Sequence, residues 1–406
     1  MTDKGSSRRQ FLQGHALLGK VRAMAGEGID AASDALPPMD EDDASLTGAV
    51  ASSPTGWPLL RFVRSAMASD FEVAFNRGQY PQATEAALAA LDEVERLESL
   101  LSAFRSESEI SRINRDAAGD AVVALPEVWN LLVQCQQLAR ETDGAIDVSA
   151  STLWRLWGFA KRRGKLPSHD EIADALQNVG ASFVQLEEAS QSVRFAKPGV
   201  EISFGCIGKG AALDLAQCKL REWDVEHALF HGGRSSILAV GGRWKETWLH
   251  AAQSNFPAGV HGTLLEPTRD RSVGWTIGIS HPIRQGSRLA EVRLTDEALG
   301  TSGSQHQFFI HRGRRYSHII DPRSGWPAQG VLMAVVIAPT AAWADALSTA
   351  FFVLTPEQTA EYCRRHPGIA ALLVLPNDRD SGEAETGLCR IMHFGFEQNQ
   401  IRFFLP

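Results

Sequence analysis

In the stretch PTAAWADALSTAFFVL, Pro339 to Leu354, Asp345 and Thr349 stand four residues apart behind Thr340, a residue type that caps helices. On a helix that spacing brings a carboxylate and a hydroxyl onto one face. Both are hard oxygen donors, which suits magnesium held by a few protein oxygens together with substrate phosphate. A plainer reading fits the same residues: Asp345 hydrogen-bonds a neighbouring loop and Thr349 bonds back to its own helix. Either way, an acid set among Ala, Trp and Leu needs partners, because burying it unpaired is costly.

A second group is ISFGCIGKGAALD, Ile202 to Asp214, with Gly205, Gly208 and Gly210 around Lys209. It does not fit a P-loop, because Gly205 is too close to Gly208-Lys209 and Gly210 follows where Ser or Thr is needed. What remains is close backbone approach to an anion, a cation beside it, and the start of a helix whose dipole favours negative charge. An ordinary glycine turn before a helix is the competing reading. In ALGTSGSQHQFFIHRGRRYSHIIDPRSGWP, the pieces TSG and HIIDP read as loops closing off strands. His318 is placed there as a general base for neutral pH or as a hydrogen-bonded structural histidine. TDGAIDVSASTLWRLWGF offers Asp147 with Trp154 and Trp157, which either stack on a planar ligand or fill core. FHGGRSS is a glycine turn with Arg234 available for phosphate.

The elements that must position these groups belong to a chain of 406 residues, 44% hydrophobic and 22% charged, long enough to build a sizeable core. A net charge of -8 and no basic, aromatic-laced stripe argue against a nucleic-acid partner. The five cysteines are widely spaced without a CxxC pair, so the expectation is buried thiols rather than disulfides or a zinc ribbon. No run reaches the ~18 apolar residues of an integral membrane segment. The start, SSRRQFLQG, is similar to a twin-arginine export signal, but Lys20, Arg22 and Glu27 interrupt the apolar segment. That interruption favours the cytoplasm and leaves export open.

Residues 1–57 are expected to form a disordered N-terminal segment with that twin-arginine-like start, given the run rich in Ala, Ser, Asp, Gly and Pro that includes MDEDD. From residue 58 to 406 a single folded domain is expected. RFVRSAMASDFEVAF alternates like a strand, and ATEAALAALDEVERLESLLSAF places Leu88, Leu91, Val94, Leu97 and Leu101 at helical spacing. PEVWNLLVQCQQLARET and AALDLAQCKLREW read as further helices, the latter leading to the strand HALFH. The pattern lapses over SNFPAGVHGTLLEPTRDR, which reads as a surface insertion. Strands and helices mix without the steady alternation of a doubly wound sheet, so the fold class is α+β, with mixed or antiparallel sheets and packed helices.

Taken together and in order, these stretches resemble the ApbE-type flavin transferases, the FAD:protein FMN transferases. MAS, Met67 to Ser69, is similar to the family's MGT block, and SAFRSESEISRIN, Ser102 to Asn114, to its SxYRxxSExSxxN block. GAID and WGF match the family's GAFD and WGF, and the Lys209 loop matches DLGGIAKGYAVD with Gly205, Lys209, Gly210 and Asp214 aligned. TSG, SHIIDPRSG and ADALSTA complete the series, which runs from about Arg64 to Leu354.

The resemblance implies an ApbE-like fold and a magnesium-dependent enzyme. It cleaves FAD, attaches FMN through a phosphoester to a Thr or Ser in a flavinylation motif of an acceptor protein, and releases AMP. It implies a metal held by Asp345, Thr349 and the backbone carbonyl of Cys206, and FAD contacts at Met67, Phe104, Ala145, Ile146, Asp147, Ser203, Lys209 and Ile320. His318 is the candidate base. Three positions depart from the pattern: Ser203 replaces an acid, Ala68 a glycine and Phe104 a tyrosine. Losing an acid beside the flavin removes a charged acceptor worth about 1.5–3 kcal/mol. These departures keep two alternatives open, a non-catalytic FAD-binding or electron-transfer protein and an FAD pyrophosphatase with water as acceptor.

Overall fold

Apolar residues that alternate along the chain build one sheet whose eight strands lie side by side in chain order: β1 (Leu59–Ala66), β2 (Ser69–Asn76), β3 (Ala228–Gly232), β4 (Ser236–Val240), β5 (Glu297–Gly303), β6 (Met333–Ala338), β7 (Ala370–Pro376) and β8 (Cys389–Phe394). Every neighbouring pair is antiparallel. The computed structural model describes residues 58–159, 164–243, 273–304, 307–377 and 389–404. The expected N-terminal segment and the expected insertion around residue 260 lie outside the described residues.

The period-two geometry of a strand sorts each strand's side chains onto two faces. In β6, Ala334, Val336 and Ala338 enter one core, while Met333, Val335 and Ile337 enter the other. The first core is closed by helices, among them α1 (Ala83–Leu101), α2 (Gly208–Arg221) and α3 (Ala341–Val353). The second is closed by a three-stranded sheet of Trp275–Ser280, Arg288–Leu294 and Ile401–Phe403, through Trp275, Ile277, Leu289 and Val292. Covered on both sides, β6 and β7 read as near-continuous apolar runs. The α+β expectation holds, and the main sheet is antiparallel throughout.

Several local expectations need correction. RFVRSAMASDFEVAF is two strands, because Ala66 pairs with Ser69 and the chain reverses through Met67 and Ala68. Both turn residues have positive φ, 50° and 55°, as a two-residue hairpin with the twist of its strands requires. Leu88 is exposed, and the buried stripe of α1 runs instead through Ala87, Ala90, Leu91, Val94 and Leu97. Small alanines there let the helix lie close to its neighbours. TSG is no loop: Thr301, Ser302 and Gly303 finish β5 opposite β6. Only Cys135 and Cys363 are buried thiols, Cys206 and Cys389 being half-buried and Cys218 exposed.

A left-handed backbone costs an L-residue about 1–2 kcal/mol, partly offset by the extra unfolded-state entropy of glycine. Ala68→Gly should therefore stabilise the fold by about 0.5–1 kcal/mol, read as a higher urea midpoint at unchanged slope. An unchanged or lower midpoint would mean that the turn carries no such strain.

Candidate active site

The site is assembled where α3 is pressed against two glycines. A Cβ built on Gly210 would sit 2.0 Å from the carbonyl oxygen of Ala341, and one built on Gly300 would sit 2.1 Å from that of Ala344. Both distances are far inside contact, so α2 meets the first turn of α3, and β5 meets its second, through backbone. Glycine in a strand interior marks such an approach. The N-terminus of α3 is held twice. Thr340 Oγ1 accepts from the N–H of Trp343 at 3.3 Å, and the Asp214 carboxylate on α2 accepts from those of Ala341 and Ala342 at 2.8 and 2.9 Å. Three of the four N–H groups that open a helix are thereby satisfied.

This approach buries Asp345, which is 5% exposed. Its carboxylate accepts from the Gly210 N–H at 3.1 Å and from Ser236 Oγ at 2.9 Å. One turn further on, Thr349 Oγ1 donates back to the Asp345 carbonyl at 3.3 Å and lies 3.3 Å from Ser302 Oγ, which also contacts Ser348 Oγ at 2.9 Å. The plainer sequence reading is therefore correct as far as it goes. Asp345 does bond the neighbouring helix start, and Thr349 does bond its own helix. The same bonds fix a carboxylate and a hydroxyl on one face, beside the glycine loop.

Cys206 lies in that loop, close enough to Asp345 and Asp147 to feel both charges. Its thiol is pushed up to about 12, mainly by burial and then by Asp345. It stays protonated at neutral pH. Among the described residues, no three His, Cys, Asp or Glu side chains converge as a metal cluster. The donors present are one carboxylate, hydroxyls and backbone carbonyls, a set that fits a hard ion retaining water and phosphate ligands rather than zinc.

The other expected residues are placed as follows. Lys209 is half-buried in the first turn of α2, between Gly208 and Gly210. Asp147 caps a short 3-10 helix, Val148–Ala150, by accepting from the Ser149 N–H and hydroxyl at 2.8 and 2.7 Å, with Ala145 and Ile146 buried just before it. Ser203 is half-buried and donates its N–H to the Val148 carbonyl at 2.9 Å. Met67 occupies the β1–β2 turn. Its neighbour Ser69 lies against Gly233, in the β3–β4 turn that also carries Arg234. Phe104 is 80% exposed, and among the described residues its ring joins no hydrophobic cluster.

His318 and Ile320 sit beside an aromatic group. Trp157, fully buried, donates Nε1–H to the Gly325 carbonyl at 2.8 Å and packs on Tyr316, Phe309 and Trp326. Trp157 is thus core rather than a ligand platform, and Trp154 is half-buried at the same cluster. His318 Nδ1 lies 3.0 Å from the Gln307 carbonyl. A carbonyl only accepts, so Nδ1 carries the hydrogen and Nε2 is the basic nitrogen. Asp321 holds Arg323 in a two-point pair and accepts its N–H, the turn expected there.

Some of the machinery escaped the sequence reading. Ser236 and Ser302 come from strands remote in the chain, and Gly300 was visible only as a glycine inside an apolar strand. Asn114 clamps Ile202 from both sides, its amide donating to the carbonyl at 3.0 Å and accepting from the N–H at 2.8 Å, which fixes the chain just before Ser203. A hollow of about 270 Å³ opens there between Ala103, Asn114, Ser151, Arg155, Glu201 and Ile202. Another, of about 290 Å³, lies between Glu141, Asp143, Glu361 and Tyr362 and holds none of the expected residues.

Comparison with known proteins shows what the chain as a whole is similar to. The sequence model of the ApbE family matches residues 67–373. An FAD:protein FMN transferase of Treponema pallidum is 31% identical over 302 residues, 72% of this chain and 78% of that one. Among solved structures, the ApbE protein of Thermotoga maritima superposes with a TM-score of 0.66 at 27% identity, covering 78% of this chain and 94% of its own. The apo form of the Pseudomonas stutzeri flavinyl transferase ApbE gives 0.64 at 27% identity, covering 79% and 92%.

Two predictions follow from the packing. Gly300→Ala forces a Cβ into the α3 backbone and should destabilise the fold by about 1–3 kcal/mol, seen as a lowered urea midpoint; full stability would refute the close approach. Burial, above all, raises the Asp214 carboxyl to about 6, helped by Asp345 and opposed by its two N–H partners. The folded value lies above the unfolded one, so this group favours the fold below about 4, and that contribution is lost as pH rises through about 6. In EDTA, the stability difference between the wild type and Asp214→Asn should shift in favour of the wild type as pH falls from 6 to about 4. A difference that does not vary over that window would contradict the raised value.

Proposed function

The chain belongs to the ApbE family, and we propose that it is a magnesium-dependent FAD:protein FMN transferase acting on a Thr or Ser hydroxyl within a flavinylation motif of an acceptor protein. The observation that carries the reading is the buried Asp345, held by Gly210 N–H and Ser236 Oγ with Thr349 on the same helical face, beside the Lys209 loop. An acid at that depth is costly unless its charge is used or paired. Asp345, Thr349 and the Cys206 carbonyl would hold the magnesium, which when bound offsets charge on the pyrophosphate oxygens.

The protein's own groups then divide the work. Lys209 holds phosphate oxygens at the start of α2, where the helix dipole favours an anion; the N–H groups of Gly208 and Gly210 serve instead to fix the loop, on the Phe204 carbonyl and the Asp345 carboxylate. Met67, Phe104, Ala145, Ile146, Asp147, Ser203 and Ile320 border the flavin and its ribityl chain. The acceptor hydroxyl attacks the FMN phosphorus, a new P–O bond forms, and the bond to AMP breaks with its electrons going to the AMP oxygen. His318 Nε2 takes the hydroxyl proton, and the imidazolium so formed is steadied by Nδ1–H donating to the Gln307 carbonyl.

One observation favours a second reading. Ser203, where the family has an acid, has its backbone fixed by Val148 and by the Asn114 clamp next to it, so a carboxylate has been lost at a rigid position. A protein that retains FAD without turnover would follow. It is separated from the transferase by AMP, which a static flavoprotein does not release, and from a pyrophosphatase by free FMN formed without acceptor.

His318→Ala should lower transfer by about 10²–10⁴-fold, the usual worth of a general base, while FAD binding measured by flavin fluorescence stays as in the wild type. Excess EDTA should abolish transfer and added magnesium restore it. Near-normal transfer by the variant removes the base assignment, and transfer that persists in EDTA removes the metal role of Asp345 and Thr349.

A further inference from the structure

Directly before His318 the chain makes a two-stranded hairpin, Phe308–His311 paired with Arg314–Ser317, turning through Arg312 and Gly313 at φ 49° and 76°. Its inner face is fastened: Phe309 stacks on Tyr316 at 5.2 Å between ring centroids, and both rings meet the buried Trp157. Its outer face is open, with Ile310 65% and Phe308 42% exposed. The Arg315 guanidinium lies 3.7 Å over the Phe308 ring, and the register sets Ile310 opposite Arg315. Among the described residues the two strands pair only with each other, so the outer edges present backbone groups to an incoming strand.

Charge distinguishes this element from the chain as a whole. Residues 307–318 hold three arginines and no acid, in a protein of net charge -8. Among the described residues, none of Arg312, Arg314 and Arg315 is paired with a carboxylate. At physiological salt the screening length is about 8 Å, so a segment lying on the hairpin senses these arginines rather than the net charge of the molecule.

We propose that this hairpin is the docking surface for the acceptor protein, which lays an extended acidic segment along it and delivers its hydroxyl to His318. The proposal rests on the reading of His318 as the base. Side chains alternate along an added strand, so the segment's apolar side chains lie with Phe308 and Ile310 on the outer face, while its acids turn to Arg312 at the hairpin tip and to the exposed Arg314, which the register sets on the opposite face beside Tyr316. Along a strand, Arg314 lies four residues before His318, a span of about 13 Å. The acids that couple to the hairpin therefore stand about four or more residues from the modified hydroxyl.

The test uses the full chain and two fluorescein-labelled peptides, a central threonine flanked by aspartates and its counterpart flanked by lysines, with binding followed by anisotropy. The aspartate peptide should bind the wild type in a salt-sensitive way and the lysine peptide should not. The double variant Arg312→Glu and Arg314→Glu should weaken the aspartate peptide by about tenfold, as expected for reversing two exposed charges. Its FAD binding, measured in parallel, should be that of the wild type. Arg312→Gln with Arg314→Gln, which keeps most of the apolar stems, should give a smaller loss and serves if the charge-reversed variant does not fold. His318→Ala should leave peptide affinity intact, so a failed base assignment is told apart from a failed docking surface. No saturable binding to the wild type, equal binding of both peptides, or equal affinity for wild type and double variant overturns the proposal.

Discussion

Everything at the site depends on the closeness with which α3 approaches Gly210 and Gly300. With no Cβ at either position, the helix backbone comes to rest on α2 and on β5. Only at that separation can the Gly210 N–H and the Ser236 hydroxyl both reach the Asp345 carboxylate. A buried carboxylate without such donors would be protonated or would unfold its surroundings. The two glycines are thus a condition for keeping an ionisable group beside the Lys209 loop, and alanine at either position separates the partners that make its burial tolerable.

The sheet supplies these partners from distant parts of the chain. Ser236 opens β4, Gly300 and Ser302 belong to β5, and the two strands are neighbours although the whole of residues 241–296 separates them in sequence. Asp214 links the helices by capping α3 from α2, so the helix that carries Asp345 and the helix that carries Lys209 are one mechanical unit. The first core packs beneath both helices, and the second, under the three-stranded sheet, braces the opposite face of the same strands. His318 approaches from elsewhere, on a hairpin rooted in the Trp157 aromatic group. His318 is therefore positioned independently of the Asp345 carboxylate.

How much of this can be read from sequence follows from where each signal resides. The Asp345–Thr349 pair is local, two residues one helical turn apart behind a capping threonine, and the structure places them as that spacing requires. The Lys209 loop is local as well. Ser236, Ser302 and Asn114 are not, because a lone serine or asparagine takes its meaning from a partner that only folding brings near. Met67 and Ala68 were hidden for another reason: neither is a usual left-handed residue, so alternation ran unbroken through a hairpin that Gly would have announced. Leu88 failed because Ala83, Ala86, Ala87 and Ala90, along the first turns of α1, carry burial as effectively as leucine where neighbours come close. Trp157 was ambiguous by type, and only its contacts with Phe309, Tyr316 and Trp326 decide for core.

Two constraints of opposite kind therefore meet at one reaction. In the proposed reaction a rigid, glycine-clamped carboxylate serves the phosphate, while a histidine at the foot of an exposed basic hairpin faces the protein to be modified. The claim that joins them is that AMP release and modification of the acceptor are one event. Incubation of the protein with FAD, magnesium and an acceptor, with AMP counted by chromatography and the acceptor weighed by intact mass spectrometry, measures this directly. The account predicts an acceptor heavier by one FMN joined through phosphoester and AMP formed in equal amount, with neither appearing when the acceptor is withheld. AMP accumulating alongside free FMN on an unmodified acceptor would contradict it.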